Sequence, residues 1–454
     1  MSEGSTTSGQ EQEGQRFLLV WILPGITRLN MIVFCYAAFA TIGLLTFIST
    51  GTALVLNANF GMPISEQGTI SGDLVIITEI VQLLIFGVVG VVADRIGRRE
   101  LFALGMLVMG VGYLLYPFAE SILQLFIFRA IYSAGLGAST GMLQTIVTDY
   151  PQERSRGKLV ALSGVFNGLG VICVTVLFGR LVPPALVNAG FDAMMATRIV
   201  HFIVFAVCAL SAIAYWYGLK KGAPVAREER LPIRQLISSG FSAAVSNPRI
   251  ALAYSAAFVA RSDLVILGTF VVLWGTVAGV SEGMDPAVAA GRGAGLFGLA
   301  SAAALVWLGI LGSFMDRINR VTGLIICTLL ASIGYSAMWI VDEPLAPAAI
   351  PSFLLLGVGQ ISAFFGATTL ISAEAPRLSR GSVVGAFNMC GAIGIFIASG
   401  LGGRLFDSVG PAAPFVLVGG LNAIVTILAI IVRIKSPGHI PARDGSVSVL
   451  RERQ

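Results

Sequence analysis

Four charged residues stand inside long runs that are otherwise apolar: Glu79, Arg129, Arg261 and Asp263. Placing a charge at the centre of a bilayer costs about 2.5–3.5 kcal/mol or more, so each is a candidate for binding or proton transfer. Arg261 and Asp263 lie about eleven to thirteen residues into their run, roughly 17–20 Å along a helix. That is near the middle of a membrane. Two positions apart on a helix, they point in different directions and cannot pair with each other. Arg261 can hold an anionic group and Asp263 can take up a proton. Glu79 is either a second protonation site or the ion-pair partner of Arg129. Arg129 is a coupling residue or a support for its own helix. His201 reads as an interfacial histidine, and Asn388 as a cavity-lining or helix-joining amide. No Ser–His–Asp set, GxxxxGK[ST] loop or paired-cysteine spacing is present. Cys35, Cys173, Cys208, Cys327 and Cys390 all fall in apolar runs and read as small buried hydrophobes. With two histidines in the chain, no metal or other cofactor and no enzymatic activity is expected.

The elements that carry these residues follow from composition. Of 454 residues, 56% are apolar and 12% charged, against about 25% charged in a soluble domain. Twelve runs are long enough for the roughly 20 apolar residues that a spanning helix needs. They are continuous rather than alternating, which excludes a closed β-barrel. The expected fold is an all-α polytopic membrane protein with twelve transmembrane helices in two pseudo-symmetric six-helix bundles. Residues 1–29 form an N-terminal tail, 30–218 the first bundle, 219–249 a polar linker, 250–432 the second bundle and 433–454 a C-terminal tail. The polar segment from Met1 to Gln15 has no basic n-region and reads as a disordered tail rather than a signal peptide. In the linker, Leu231, Ile233, Leu236 and Ile237 could lay a short helix on the membrane surface.

Of the 29 Lys and Arg residues, all but six fall on the side of the two termini. Arg180, Arg198, Arg292 and Arg404 lie opposite, and Arg129 and Arg261 within helices. Positive charge marks the cytoplasmic side, so both termini are expected in the cytoplasm and the chain in the bacterial cytoplasmic (inner) membrane. Basic residues spread along one membrane face exclude a nucleic-acid partner. The expected partners are a small-molecule substrate, protons and membrane lipids, and the expected state is a monomer.

The halves repeat. Asp94-Arg95-Ile96-Gly97-Arg98 recurs 222 positions later as Asp316-Arg317-Ile318-Asn319-Arg320. Gly135-Leu136-Gly137 recurs at the same offset as Gly357-Val358-Gly359. Arg156-Gly157 and Gly179-Arg180 recur 224 positions later as Arg380-Gly381 and Gly403-Arg404. Two bundles repeated in the same orientation are related by an axis along the membrane normal, with a substrate site between them at midplane. At that offset Arg261 and Asp263 correspond to the neutral Phe39 and Thr41, so these charges break the repeat.

The loop Gly90-Val91-Val92-Ala93-Asp94-Arg95-Ile96-Gly97-Arg98-Arg99 closely resembles the signature of the major facilitator superfamily of secondary transporters. Arg129 followed by Gly135 and Gly137 resembles a second motif of that family. Gly164-Val165-Phe166-Asn167-Gly168 resembles the start of its drug–proton antiporter motif, with Leu169 in place of proline. The resemblance implies a secondary active transporter that moves a small organic solute by alternating access with proton coupling, and Arg261 with Arg129 favours an anionic solute over a neutral one. The alternatives are an uncoupled facilitator or exchanger, a drug efflux proton antiporter and a non-transporting receptor. It also implies a gating role for Gly90, Asp94, Arg95, Gly97, Arg98, Arg99, Asp316, Arg317 and Arg320. Arg95, Arg98 and Arg99 are expected to face water and headgroups, with Asp94 latching the bundles. If so, Asp94→Ala should impair transport more than Asp316→Ala in a flux assay, and equal effects would reduce the loop to a topology anchor.

Overall fold

The computed structural model describes residues 15–152, 155–222, 242–315, 318–376 and 380–436. The first tail to residue 14, the expected surface helix in the linker, Asp316, Arg317 and the end of the C-terminal tail lie outside the described residues, as do the side chains of Asp94 and Arg95. Twelve long helices run back and forth: α1 Arg28–Leu54, α2 Ile64–Ile96, α3 Arg98–Leu115, α4 Ile122–Asp149, α5 Arg156–Val174, α6 Ala193–Gly218, α7 Pro248–Ser281, α8 Pro286–Met315, α9 Arg320–Ser336, α10 Ile350–Glu374, α11 Arg380–Ser408 and α12 Ala413–Lys435. All twelve are long and apolar enough to span a membrane. α5 continues through a π-helical segment, Thr175–Leu181, into a further short helix, Val182–Asn188.

Polar residues set the helix ends. Thr27 caps α1 in a reciprocal capping box with Asn30. Asp192 caps α6 and Asn319 caps α9 through side-chain oxygens. A single residue, Gly97, separates α2 from α3 at φ 103°, a left-handed conformation that side chains other than glycine rarely adopt. α2 begins eight residues before the apolar run that announces it, because Ser65, Glu66 and Gln67 are helical although polar.

Buried apolar side chains gather into two large cores, one from α1–α6 and one from α7–α12. Each is the interior of one bundle. Buried tyrosines repeat between them. Tyr113 of α3 donates its hydroxyl to the Leu44 carbonyl of α1 at 2.6 Å. Tyr335 of α9, 222 positions on, donates to the Asp263 carbonyl of α7 at 2.5 Å.

The packing revises one register of the repeat. A Cβ on Gly135 of α4 would stand 2.7 Å from Met109 Cα of α3, and one on Gly359 of α10 would stand 2.9 Å from Ala331 Cα of α9. Ser133 bonds Thr78 of α2 at 3.1 Å, while Gly357 lies against Ala300 of α8. Gly135 therefore matches Gly359, and the offset is already 224 at α4. The earlier match at 222 paired glycines that face different neighbours, since two residues turn a helix by about 200°.

The charged turn between α2 and α3 also differs from expectation. Arg98 is 4% exposed and ion-paired with Asp149 at the end of α4, so it does not face water. Arg99 pairs with Glu100 at 2.7 Å and lies over the Trp216 ring at 5.2 Å. Arg320 donates to the Met315 carbonyl at 2.9 Å. His201 is fully buried rather than interfacial, edge-on to Phe47 and stacked on Tyr116.

Ahead of α1 the chain forms a short hairpin, β1 Arg16–Phe17 with β2 Val20–Trp21. It adds an edge to the segment after α4: Leu23 N donates to Tyr150 O at 3.0 Å, Gln152 N to Trp21 O at 2.8 Å and Trp21 N to Ser155 Oγ at 3.0 Å. Tyr150 accepts from Lys220 N at 3.0 Å. Burial pushes the Tyr150 hydroxyl up to about 12, so it stays neutral at physiological pH. Ile22, fully buried, anchors the hairpin, while Leu19 at its tip is 65% exposed. Ile22→Asp should therefore cost about 3 kcal/mol or more and lower the thermal unfolding temperature in detergent, whereas Leu19→Asp should change it little.

Candidate functional site

The two bundles meet along two pseudo-equivalent seams, α2 against α11 and α5 against α8. Both are tight at the face opposite the termini. A Cβ on Gly68 of α2 would stand 2.7 Å from the Gly403 carbonyl oxygen of α11, and one on Gly179 beyond α5 would stand 2.8 Å from Ala294 Cβ of α8. The seams part toward the terminal face. A Cβ on Gly168 of α5 would still stand 2.8 Å from Leu305 of α8, but one turn further a Cβ on Gly164, Gly309 or Gly312 would meet nothing within 4 Å, nor would one on Gly385 of α11. Between the bundles lies a cleft closed at one face and open at the other.

The α2–α11 seam carries a charged latch at its closed end. Asp407 of α11 accepts from the backbone N–H groups of Gly68 and Thr69 at 2.8 and 2.6 Å. Arg404 of α11 reaches Asp73 of α2 at 3.0 Å. At the α5–α8 seam the corresponding positions, by the repeat, are Pro183, Arg180 and Gly295. Arg180 lies along Gly295 there and makes no ion pair among the described residues. Among the described residues, one seam is held by charge and packing, the other by packing. Sequence reasoning placed Arg404 and Arg180 only as charges on the outer face. Their pairing was hidden because Asp73 and Arg404 are 331 residues apart.

The four intramembrane charges divide. Glu79 and Arg129 share the α2–α4 contact of the first bundle, since Arg129 donates to Thr78, the residue before Glu79, and Arg261 of α7 lies against α11, the helix that packs on α2. Glu79 makes no ion pair or hydrogen bond among the described residues, so Arg129 is not its direct partner. Arg129 is 5% exposed, donates Nε to Thr78 Oγ1 at 2.8 Å and lies over the Tyr132 ring at 5.3 Å. Arg261 lies along Gly391 of α11 and donates Nη2 to Asn388 Oδ1 at 2.7 Å. Asn388 is exposed although it sits amid an apolar helix. The Nε of Arg261 and the Nη1 of Arg129 are buried without an acceptor.

Asp263 is not in this group. It is fully buried, and both carboxylate oxygens accept from Asn422 Nδ2 of α12 at 3.1 Å. Its counterpart Thr41 likewise faces inward, bonding Tyr215 of α6 at 3.1 Å. Asp263 thus points into its own bundle while Arg261 points at the seam. The 100° step between successive helical residues separates them. Asn422 gave no signal in the sequence, being one amide in a long apolar run.

Two six-helix bundles closing around a charged midplane group define a polytopic transport fold. A family model, Major Facilitator Superfamily, matches residues 29–399, and the chain belongs to that family of transporters. It is 29% identical over 387 residues to the magnetosome protein MamH of Paramagnetospirillum magneticum, covering 83% of this chain and 85% of that protein. It is 28% identical to the magnetosome protein MamZ of the same organism, covering 83% of this chain and 58% of that longer protein. Among solved structures, the nucleoside transporter NupG superposes with a TM-score of 0.70 at 13% identity, covering 89% of this chain and 99% of that one. At that identity the likeness is one of fold.

Each hydrogen bond to a charged group is worth about 1.5–3 kcal/mol. Asp407→Ala should therefore favour opening of the latched face by tenfold or more. Spin labels on the far ends of α2 and α11 should report a longer distance population in that variant than in the wild type.

Proposed function

We propose that this chain is a secondary active transporter that moves a small organic solute by alternating access, coupled to protons. The observation that carries the reading is that intramembrane charges stand on either side of the α2–α11 seam. Glu79 is on α2 and Arg261, from the other bundle, lies against α11, the helix that packs on α2. A group of this kind links solute occupancy, protonation and bundle separation, because any change in it alters the attraction between the halves. With both termini in the cytoplasm, as the distribution of basic residues favours, the open cleft faces inward and the Asp407 latch seals the outside of a bacterial inner membrane. Proton uptake is assigned to Glu79. Asp263, enclosed by α12, supports the shape of α7 in this reading. Arg129 holds Thr78 and tunes Glu79 from within the first bundle.

Uptake into proteoliposomes, with and without an imposed pH gradient, tests the coupling. Accumulation that survives collapse of the gradient would make the protein a facilitator or exchanger. Glu79→Gln should weaken gradient-driven accumulation about 5–150-fold, the usual range of a coupling free energy, while Asp263→Asn should keep the pH response. The opposite pattern would return the proton to Asp263.

A further inference from the structure

We infer that the solute carries an oxyanion group, a carboxylate or a phosphate-like moiety, and that it binds Arg261 in place of Glu79. The inference rests on the transporter reading and names the substrate class of the same site. It comes from charge and from unmet hydrogen-bonding capacity.

Arg261 and Arg129 bring two positive charges to the midplane, and Glu79 brings one negative charge. The group is left one positive charge in excess. Asp263, the nearest acid in sequence, is turned into the second bundle and held by Asn422, so it does not neutralise that excess. An uncompensated charge at this depth is costly, and an anion from the cleft is the occupant that removes it.

The donors fit such an occupant. Arg261 spends Nη2 on Asn388, yet its Nε is buried without an acceptor. A guanidinium with free N–H groups matches a carboxylate or phosphate in a two-pronged geometry. Asn388 fixes the guanidinium through its oxygen and leaves its own amide N–H groups for a second oxygen of the solute. The side chain of Arg261 can lie in this position because residue 391 is glycine. A Cβ there would stand 2.8 Å from Arg261 Cγ and 3.0 Å from Nε. The Phe39 position of the first bundle offers no such group, so the anion is held from the α7–α11 side.

This arrangement gives the proton its role. While Glu79 is ionised it competes with the solute for the attraction of Arg261. Once protonated it withdraws, the excess positive charge rises by one, and the oxyanion takes its place. Proton and anion then travel together.

Thermal unfolding of the purified protein in detergent tests this, with acetate, succinate, citrate, inorganic phosphate and sulfate as probes, and with choline chloride and glucose as charged and neutral controls. Phosphate and sulfate also stabilise proteins by exclusion from the surface, so the comparison is with variants. At least one probe should raise the unfolding temperature of the wild type, with an apparent affinity about tenfold or more weaker in Arg261→Gln. Affinity should be stronger in Glu79→Gln, which removes the competing charge. If Arg261→Gln is poorly folded, Asn388→Asp provides the second test, since it sets a carboxylate beside Arg261 from the cleft and should also abolish the effect. No stabilisation by any probe, or equal stabilisation in all variants, overturns the inference. Binding needs no gradient. Flux that ignores pH would sink the coupling and leave oxyanion binding standing.

Discussion

The cost of a charge in hydrocarbon governs this structure. Each intramembrane charge is met differently, and the difference sorts roles. Asp263 is met by an amide inside one bundle. Arg129 is met by a hydroxyl and an aromatic face. Arg261 is met by the Asn388 oxygen of α11, and Glu79 has no ion pair or hydrogen bond among the described residues. A close pair inside a bundle would be satisfied whatever the bundles did. Charges on either side of the seam have surroundings that depend on how the bundles are arranged.

Close backbone approach is the second constraint. Helices in lipid gain little from apolar burial against one another and associate through packing of small residues. Gly68, Gly72 and Gly403 let α2 and α11 meet nearly backbone to backbone at the closed face. Further along, a Cβ on Gly164, Gly309, Gly312 or Gly385 would meet nothing within 4 Å, so the seams part where small residues continue. Small residues permit the close approach, and the charge of Asp407 and Arg404 is added where the backbones touch.

Much of this was legible in sequence. Twelve helices, two bundles and the repeat follow from hydropathy and from copies of a few short motifs. The bundle assignment of each charge was legible as well. The direction of each side chain was not. Asp263 and Arg261 differ by two positions, and only the identity of α12 at Asn422 and of α11 at Gly391 and Asn388 decides which faces the cleft. Arg98 looked like a surface charge because its neighbours in sequence are charged, while its partner Asp149 stands about fifty residues away at the end of another helix. The register of the fourth helix slipped by two because glycines at both positions matched equally well as letters and only packing distinguishes them. The hairpin before α1 was missed since a two-residue strand has no periodicity to read.

The inequality of the two seams bears on how the halves move. Opening the α2–α11 side means parting Asp407 from two amides and Arg404 from Asp73, which needs water or counter-ions to take over those charges. Opening the α5–α8 side means unpacking small and apolar side chains and the Arg180 side chain from Gly295, where α5 runs on through the π segment at Thr175–Leu181. Dissolved ions can compete for Asp407, Arg404 and Asp73 at the first, and for the Arg180 guanidinium at the second. The ionic strength of the medium at that face is thus a variable to which the two edges of the molecule are unequally tied, three charged side chains holding one and a single guanidinium lying along the other.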